Sequence, residues 1–210
     1  MGKLGHMPPD FQARAHELIE AGCYLFQQGW VPATSGNFSA RLSDGTIAIT
    51  VSGRHKGRLH IGDIMVVDTN GQPQMSTQRP SAETPLHTSL YRRYPEVNAV
   101  LHTHSLNATL LSRAIGSTLR LEGYELLKAF AGVTTHKSAI EIPNFANDQD
   151  IARLSSSVEN YLDMHGAIYG YLIAGHGLYT WGRSVDEALR HVEAFEFLFQ
   201  CELHGYRGNT

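Results

Sequence analysis

Apolar residues recur along this chain at two spacings, and the switches between them mark out its elements. After Asp10, the residues Phe11, Ala15, Leu18, Ile19, Gly22 and Phe26 fall on one face of a 3.6-residue repeat, which predicts a helix capped by Asp10 and stopped at Gly29. Alternation then predicts strands over residues 38–42 and 46–51, joined through Asp44-Gly45, a dipeptide suited to a tight hairpin turn. Residues 64–68 read as a further strand ended by Asn70-Gly71. Residues 72–80 read as a loop leading into a helix over 82–94.

The apolar run 95–101 predicts a strand that closes on His102-Thr103-His104. Helices are expected over 105–115, 122–130 and 148–162, with a short strand at 139–142 and two more at 167–173 and 178–181. Ser184-Val185-Asp186-Glu187 is a capping box opening a last helix, whose stripe of Ala188, Leu189, Val192, Phe195 and Phe199 suits a core or a subunit interface. Early hairpins followed by mixed helices and strands imply an α/β single domain with a central mixed, largely antiparallel sheet flanked by helices. A regular eight-fold barrel is disfavoured, because it needs about 250 residues and would place a His-x-His pair on its first strand.

Composition narrows the function classes. With 210 residues and 42% hydrophobic content the chain suits one domain, expected over 10–202 between a flexible segment 1–9 and a tail 203–210. A net charge of -3 without any basic stripe argues against nucleic acid and anionic membrane as partners, leaving a small molecule. Cys23 and Cys201, one in each terminal helix, read as reduced core thiols. The chain shows no apolar signal segment and no run of roughly eighteen apolar residues, so a soluble cytoplasmic protein is expected.

Two constellations carry chemistry. Residues two apart on a strand share a face, so His102 and His104 can approach one ion, and His176 in Ala174-Gly175-His176-Gly177-Leu178 offers a third nitrogen. Three imidazoles with an open fourth position are the arrangement of a catalytic zinc. Chance alone also places such pairs in a chain with twelve histidines, and the other nine read as surface or hydrogen-bonded core residues. The second constellation is a set of small-residue loops, Thr34-Ser35-Gly36-Asn37, Val51-Ser52-Gly53 and Arg79-Pro80-Ser81-Ala82. Each is either an ordinary turn or an anion site in which backbone N–H groups converge without bulky side chains.

Taken together, Thr34-Ser35-Gly36-Asn37, Ser52-Gly53, Ser81-Ala82-Glu83, His102-Thr103-His104 and His176 resemble the class II aldolase and adducin family over about residues 10–202. The resemblance implies a tetramer with one Zn2+ per subunit on His102, His104 and His176, and a sugar phosphate whose phosphoryl group sits on Asn37, Ser52, Gly53 and Ser81. Residues 121–128, 144–151 and 175–182 resemble the branch that dehydrates 5-methylthioribulose 1-phosphate in methionine salvage. That resemblance makes Glu125 a catalytic acid/base. Glu83 falls where aldolases of the family carry their base, although animal dehydratases have cysteine there. In purely structural terms Glu83 is a helix N-terminal acid and Glu125 an exposed helix residue. A ketose-phosphate aldolase or epimerase, and a non-catalytic module like the adducin head, are the alternatives.

Overall fold

The computed structural model describes residues 7–208. Among these are five α-helices, α1 (Phe11–Gln27), α2 (Thr84–Arg93), α3 (Leu106–Ala114), α4 (Ile151–His165) and α5 (Val185–Gly208). The strands are β1 (Asn37–Arg41), β2 (Ile47–Thr50), β3 (Ile64–Val67), β4 (Pro73–Gln74), β5 (Ala99–Thr103), β6 (Thr118–Glu122), β7 (Ala139–Phe145), β8 (Gly170–Ile173) and β9 (Gly177–Gly182). They form one sheet in the order β4-β3-β2-β1-β5-β9-β8-β7-β6. Only β7 and β8 pair in parallel, and α4 makes the crossover such a pair needs. The sheet is therefore mixed and largely antiparallel, as the alternation of elements implied.

Side-chain alternation explains how both faces of the central strands are covered. Phe38, Ala40 and Leu101 point to one side and pack under α1 and the first turns of α5, through Leu18, Leu25, Ala188 and Val192. Ile47, Ile49 and Val100 point to the other, where α2 and α4 cover them with Leu86, Leu90, Leu154 and Val158. A third cluster lies over β6 to β9, where Leu119, Leu121, Leu172 and Leu178 meet Leu111 of α3 and Phe195 and Phe199 of α5. Each such fully buried aliphatic or aromatic side chain contributes about 1.5–3 kcal/mol relative to exposure.

Several expectations need correction. Residues 122–130 do not form an α-helix: β6 ends at Glu122 and a 3-10 turn spans Glu125–Ala129. The strict alternation Thr118-Leu119-Arg120-Leu121-Glu122, with only the two leucines buried, fits an edge strand instead. The strand expected over 95–101 begins only at Ala99, because Val97 N–H donates to the Tyr94 carbonyl and turns the chain first. Asp10 does not cap α1 through its side chain; its carboxylate accepts from the Ser43 N–H and hydroxyl. Phe26 is 39% exposed and Leu25 takes its place in the core. Cys23 and Cys201 are free but half-buried rather than core thiols. Ser184 does cap α5, accepting from Glu187 N–H at 3.1 Å, but Glu187 reaches back to the Arg183 N–H and guanidinium instead of closing the box on Ser184. The expected tail 203–210 is helical as far as Gly208. His6 and most of the expected flexible segment 1–9 lie outside the described residues.

On α5, Glu196 is 2% exposed, and Asn107 of α3 is its amide donor at 3.4 Å. Burial pushes its carboxyl up to about 7, against the opposing effect of its hydrogen bonds. The native state thus holds a proton that the unfolded chain releases near 4.5, so this group lowers stability progressively as pH rises from about 4.5 to 7. We predict that Glu196→Gln removes this slope: the melting temperature of the variant, relative to the unsubstituted protein, rises between pH 5 and pH 8. Parallel thermal-unfolding profiles over that range would refute the assignment.

Candidate metal centre

Strand register brings the first components together. Asn37 of β1 and Tyr179 of β9 are the residues paired with His102 of β5, so all three stand in one row on the face that α2 covers. Glu83 immediately precedes α2 and enters the same space. His104 lies one residue beyond β5, where its N–H donates to the Trp30 carbonyl at 2.9 Å. His176 comes from the turn between β8 and β9. Its carbonyl accepts from Thr109 of α3, and the Gly175 N–H donates to Ser112 of the same helix. Gly177 follows, and no side chain fits there because the backbone of β9 lies against Thr103.

One nitrogen of each imidazole converges on a common point. His102 Nε2 lies 2.8 Å from His104 Nε2 and 3.3 Å from His176 Nε2, and the latter two are 3.1 Å apart. Glu83 completes the group, with Oε2 3.4 Å from His102 Nε2 and Oε1 3.2 Å from His176 Nε2. His102 Nδ1–H donates to the Leu178 carbonyl at 2.9 Å, which fixes the tautomer and leaves the Nε2 lone pair facing inward. The ring also stacks on Tyr179 at 4.0 Å. Burial, reinforced by the neighbouring imidazoles, holds His102 well below the usual histidine range and His104 down at about 3. His102 and His104 are thus held neutral, and His102 presents a bare Nε2 to the point the three rings share. A tetrahedral ion with zinc-like bonds of about 2.05 Å spaces its nitrogens roughly 3.3 Å apart, so the cluster of Glu83, His102, His104 and His176 can hold a metal ion.

Behind Glu83 runs a buried hydrogen-bond chain. The Asn37 amide donates to Glu83 Oε2 at 2.6 Å and to Ser81 Oγ at 3.2 Å. Its carbonyl oxygen therefore faces His87, so His87 Nε2 carries the proton and donates to it. His87 Nδ1 then accepts from Ser39 at 2.7 Å, and Ser39 accepts from Tyr91 at 2.8 Å. Complete burial pushes His87 down to about 4, so the ring is neutral and this order of donors is maintained at neutral pH.

In front of the cluster lies a cavity of about 290 Å3. Asn37, Ser52, Gly53 and Ser81 all line it, together with Glu83, His104 and Lys56. Lys56 was not singled out in the sequence; the signal was the basic run Arg54-His55-Lys56 directly after Ser52-Gly53.

The sequence profile described as the class II aldolase and adducin N-terminal domain matches residues 16–203. The chain belongs to this family. Two class II aldolase relatives, both named methylthioribulose-1-phosphate dehydratase, come from Methylococcus capsulatus, 60% identical over 94% of this chain and 98% of its own, and from Marinobacter nauticus, 56% identical over 94% and 96%. Among solved structures, l-fuculose-1-phosphate aldolase from Thermus thermophilus superposes with a TM-score of 0.75 at 28% identity, covering 94% of this chain and 98% of that one.

In this class II aldolase chain, Glu125 stands apart from the cluster. It opens the 3-10 turn after β6, four strand spacings or roughly 19 Å across the sheet from β5. Its side chain is 71% exposed and accepts from Lys128, with His136 Nδ1 at 3.7 Å. The Lys128 hydrogen bond holds its carboxyl below the usual glutamate range.

We predict that His104→Ala protein, whose lost ring is partly exposed, retains its far-ultraviolet dichroism but carries only background transition metal by mass-spectrometric elemental analysis. Stoichiometric metal in that variant would remove His104 from the centre.

Proposed function

We propose that the protein removes water from 5-methylthioribulose 1-phosphate to give 2,3-diketo-5-methylthiopentyl 1-phosphate, a step of methionine salvage. The observation that carries this reading is that one cavity joins the four small-residue positions to Glu83 and His104, in a chain 60% identical to a methylthioribulose-1-phosphate dehydratase. Asn37, Ser52, Gly53 and Ser81 hold the phosphoryl group. A fixed end of the substrate decides which carbon reaches the cluster, which is the main contribution of such contacts to rate. His102, His104 and His176 would hold Zn2+, which when bound would supply the Lewis acidity that acidifies a C–H beside a ketone.

Two proton transfers expel the water, one from C3 and the other to the departing C4 hydroxyl, and the enol that remains ketonises to the diketone by losing its C3 hydroxyl proton and taking one up at C4. Glu83 and Glu125 are the proposed carriers. Glu83 is oriented for this by the Asn37 amide. Glu125 faces outward in its own chain, so it serves the site of an adjoining copy in a homo-oligomer, proposed to be a tetramer. Exposed Leu126 beside Glu125, with Leu106, Leu110 and Phe197, gives that assembly apolar surface.

A class II sugar-phosphate aldolase is the second reading, favoured by the carboxylate of Glu83 within the cluster. The two part on their products. Metal-loaded protein incubated with 5-methylthioribulose 1-phosphate is expected to give a product lighter by one water in mass spectrometry, and chelated protein none. Dihydroxyacetone phosphate would instead establish carbon–carbon cleavage. We further predict that Ser81→Asp raises KM by about tenfold or more through charge repulsion, equivalent to ~1.4 kcal/mol of binding. An unchanged KM would take Ser81 out of the phosphate site.

A further inference from the structure

Lys56 is the single lysine or arginine lining the cavity between the small-residue loops, among the described residues. It is 2% exposed, and its ammonium lies between two of those loops, donating to the Thr34 carbonyl at 3.0 Å and to the Arg54 carbonyl at 2.6 Å. An ammonium carries three N–H donors, and the third has no acceptor among the described residues. No described carboxylate lies within ion-pair distance of it either. Asp63, the acid whose field it feels, is bonded to Arg54 and His60.

A buried cation with only neutral partners is costly to the fold. Burial brings Lys56 down to about 8, with Asp63 opposing the shift, so the group is still mostly protonated at pH 7. The neighbouring groups that hold a phosphoryl dianion in the proposed site are neutral amides and hydroxyls, and the adjacent charged group, Glu83, has the wrong sign for it. The charge balance of a bound phosphate therefore falls to this residue.

We propose that Lys56 is the charge partner of the substrate's phosphoryl group, donating its third N–H to the anion while its other two hold the Thr34 and Arg54 loops at the spacing the anion needs. This rests on the phosphate reading of the cavity. It makes Lys56 a binding and specificity residue, one that separates phosphorylated sugars from their free counterparts.

The test uses inorganic phosphate as the probe, on metal-loaded full-length protein. Calorimetry should show phosphate binding that Lys56→Met weakens by at least about tenfold, the usual scale for a lost charge-assisted hydrogen bond. In steady-state turnover the same variant should raise KM by a similar factor and change kcat much less. The chain has only four lysines, Lys3, Lys56, Lys128 and Lys137, so the Cε resonance of Lys56 can be assigned in lysine-labelled, unsubstituted protein. That resonance should move on phosphate addition, a readout that remains if the Met variant fails to fold. Phosphate binding that leaves the resonance in place, or that Lys56→Met retains in full, would reduce Lys56 to a brace between loops and overturn the proposal while the phosphate site stood. Absence of any phosphate binding by the unsubstituted protein would overturn the site itself.

Discussion

Where β9 begins, the backbone of Gly177 runs so close to β5 that a Cβ would lie 1.9 Å from the Thr103 carbonyl oxygen. That approach sets the distance between the His102–His104 segment and the turn carrying His176. On the other flank Gly36, at φ +77, passes the His102 carbonyl so closely that a Cβ would lie 2.7 Å from its oxygen. The three histidines are thus placed by backbone packing on either side of β5, and α3 fastens the His176 turn through Thr109 and Ser112. Side-chain flexibility has little part in it: the ligand atoms are brought together by strands already locked in register.

The same packing explains the electrostatics. Burial favours neutral rings at His102 and His104, and the Leu178 carbonyl selects which nitrogen of His102 remains bare. Glu83 brings the one negative charge into the group. Its position at the start of α2 also places it near the positive end of that helix, so the structural and chemical readings of this residue are compatible.

Much of the fold was legible because local signals agreed with tertiary ones. Asp44-Gly45 turns as expected, with Gly45 at φ +86 and Asp44 accepting from Thr46. The stretch after position 115 was less legible. Glu122 to Phe130 has helix-forming residues, but the preceding alternation of Leu119 and Leu121 and the exposed edge of the sheet decided its conformation. In the site, His102, His104 and His176 stood out by motif, and the small-residue loops by composition. Lys56 and His87 were hidden because their importance is relational. One lies between carbonyls of two loops, the other between Ser39 and Asn37, and spacing along the chain encodes neither contact.

The chain of groups from Tyr91 through Ser39 and His87 to Asn37 has a direction. Each member can donate only toward the cluster, since reversing Asn37 would set its amide against the proton of His87 and withdraw a donor from Glu83. A reversal at one link would have to propagate through four residues packed in the core. The orientation of Asn37 is therefore permanent: its amide stays turned toward Glu83 and Ser81, so the carboxylate that closes the cluster is held at one fixed angle from behind.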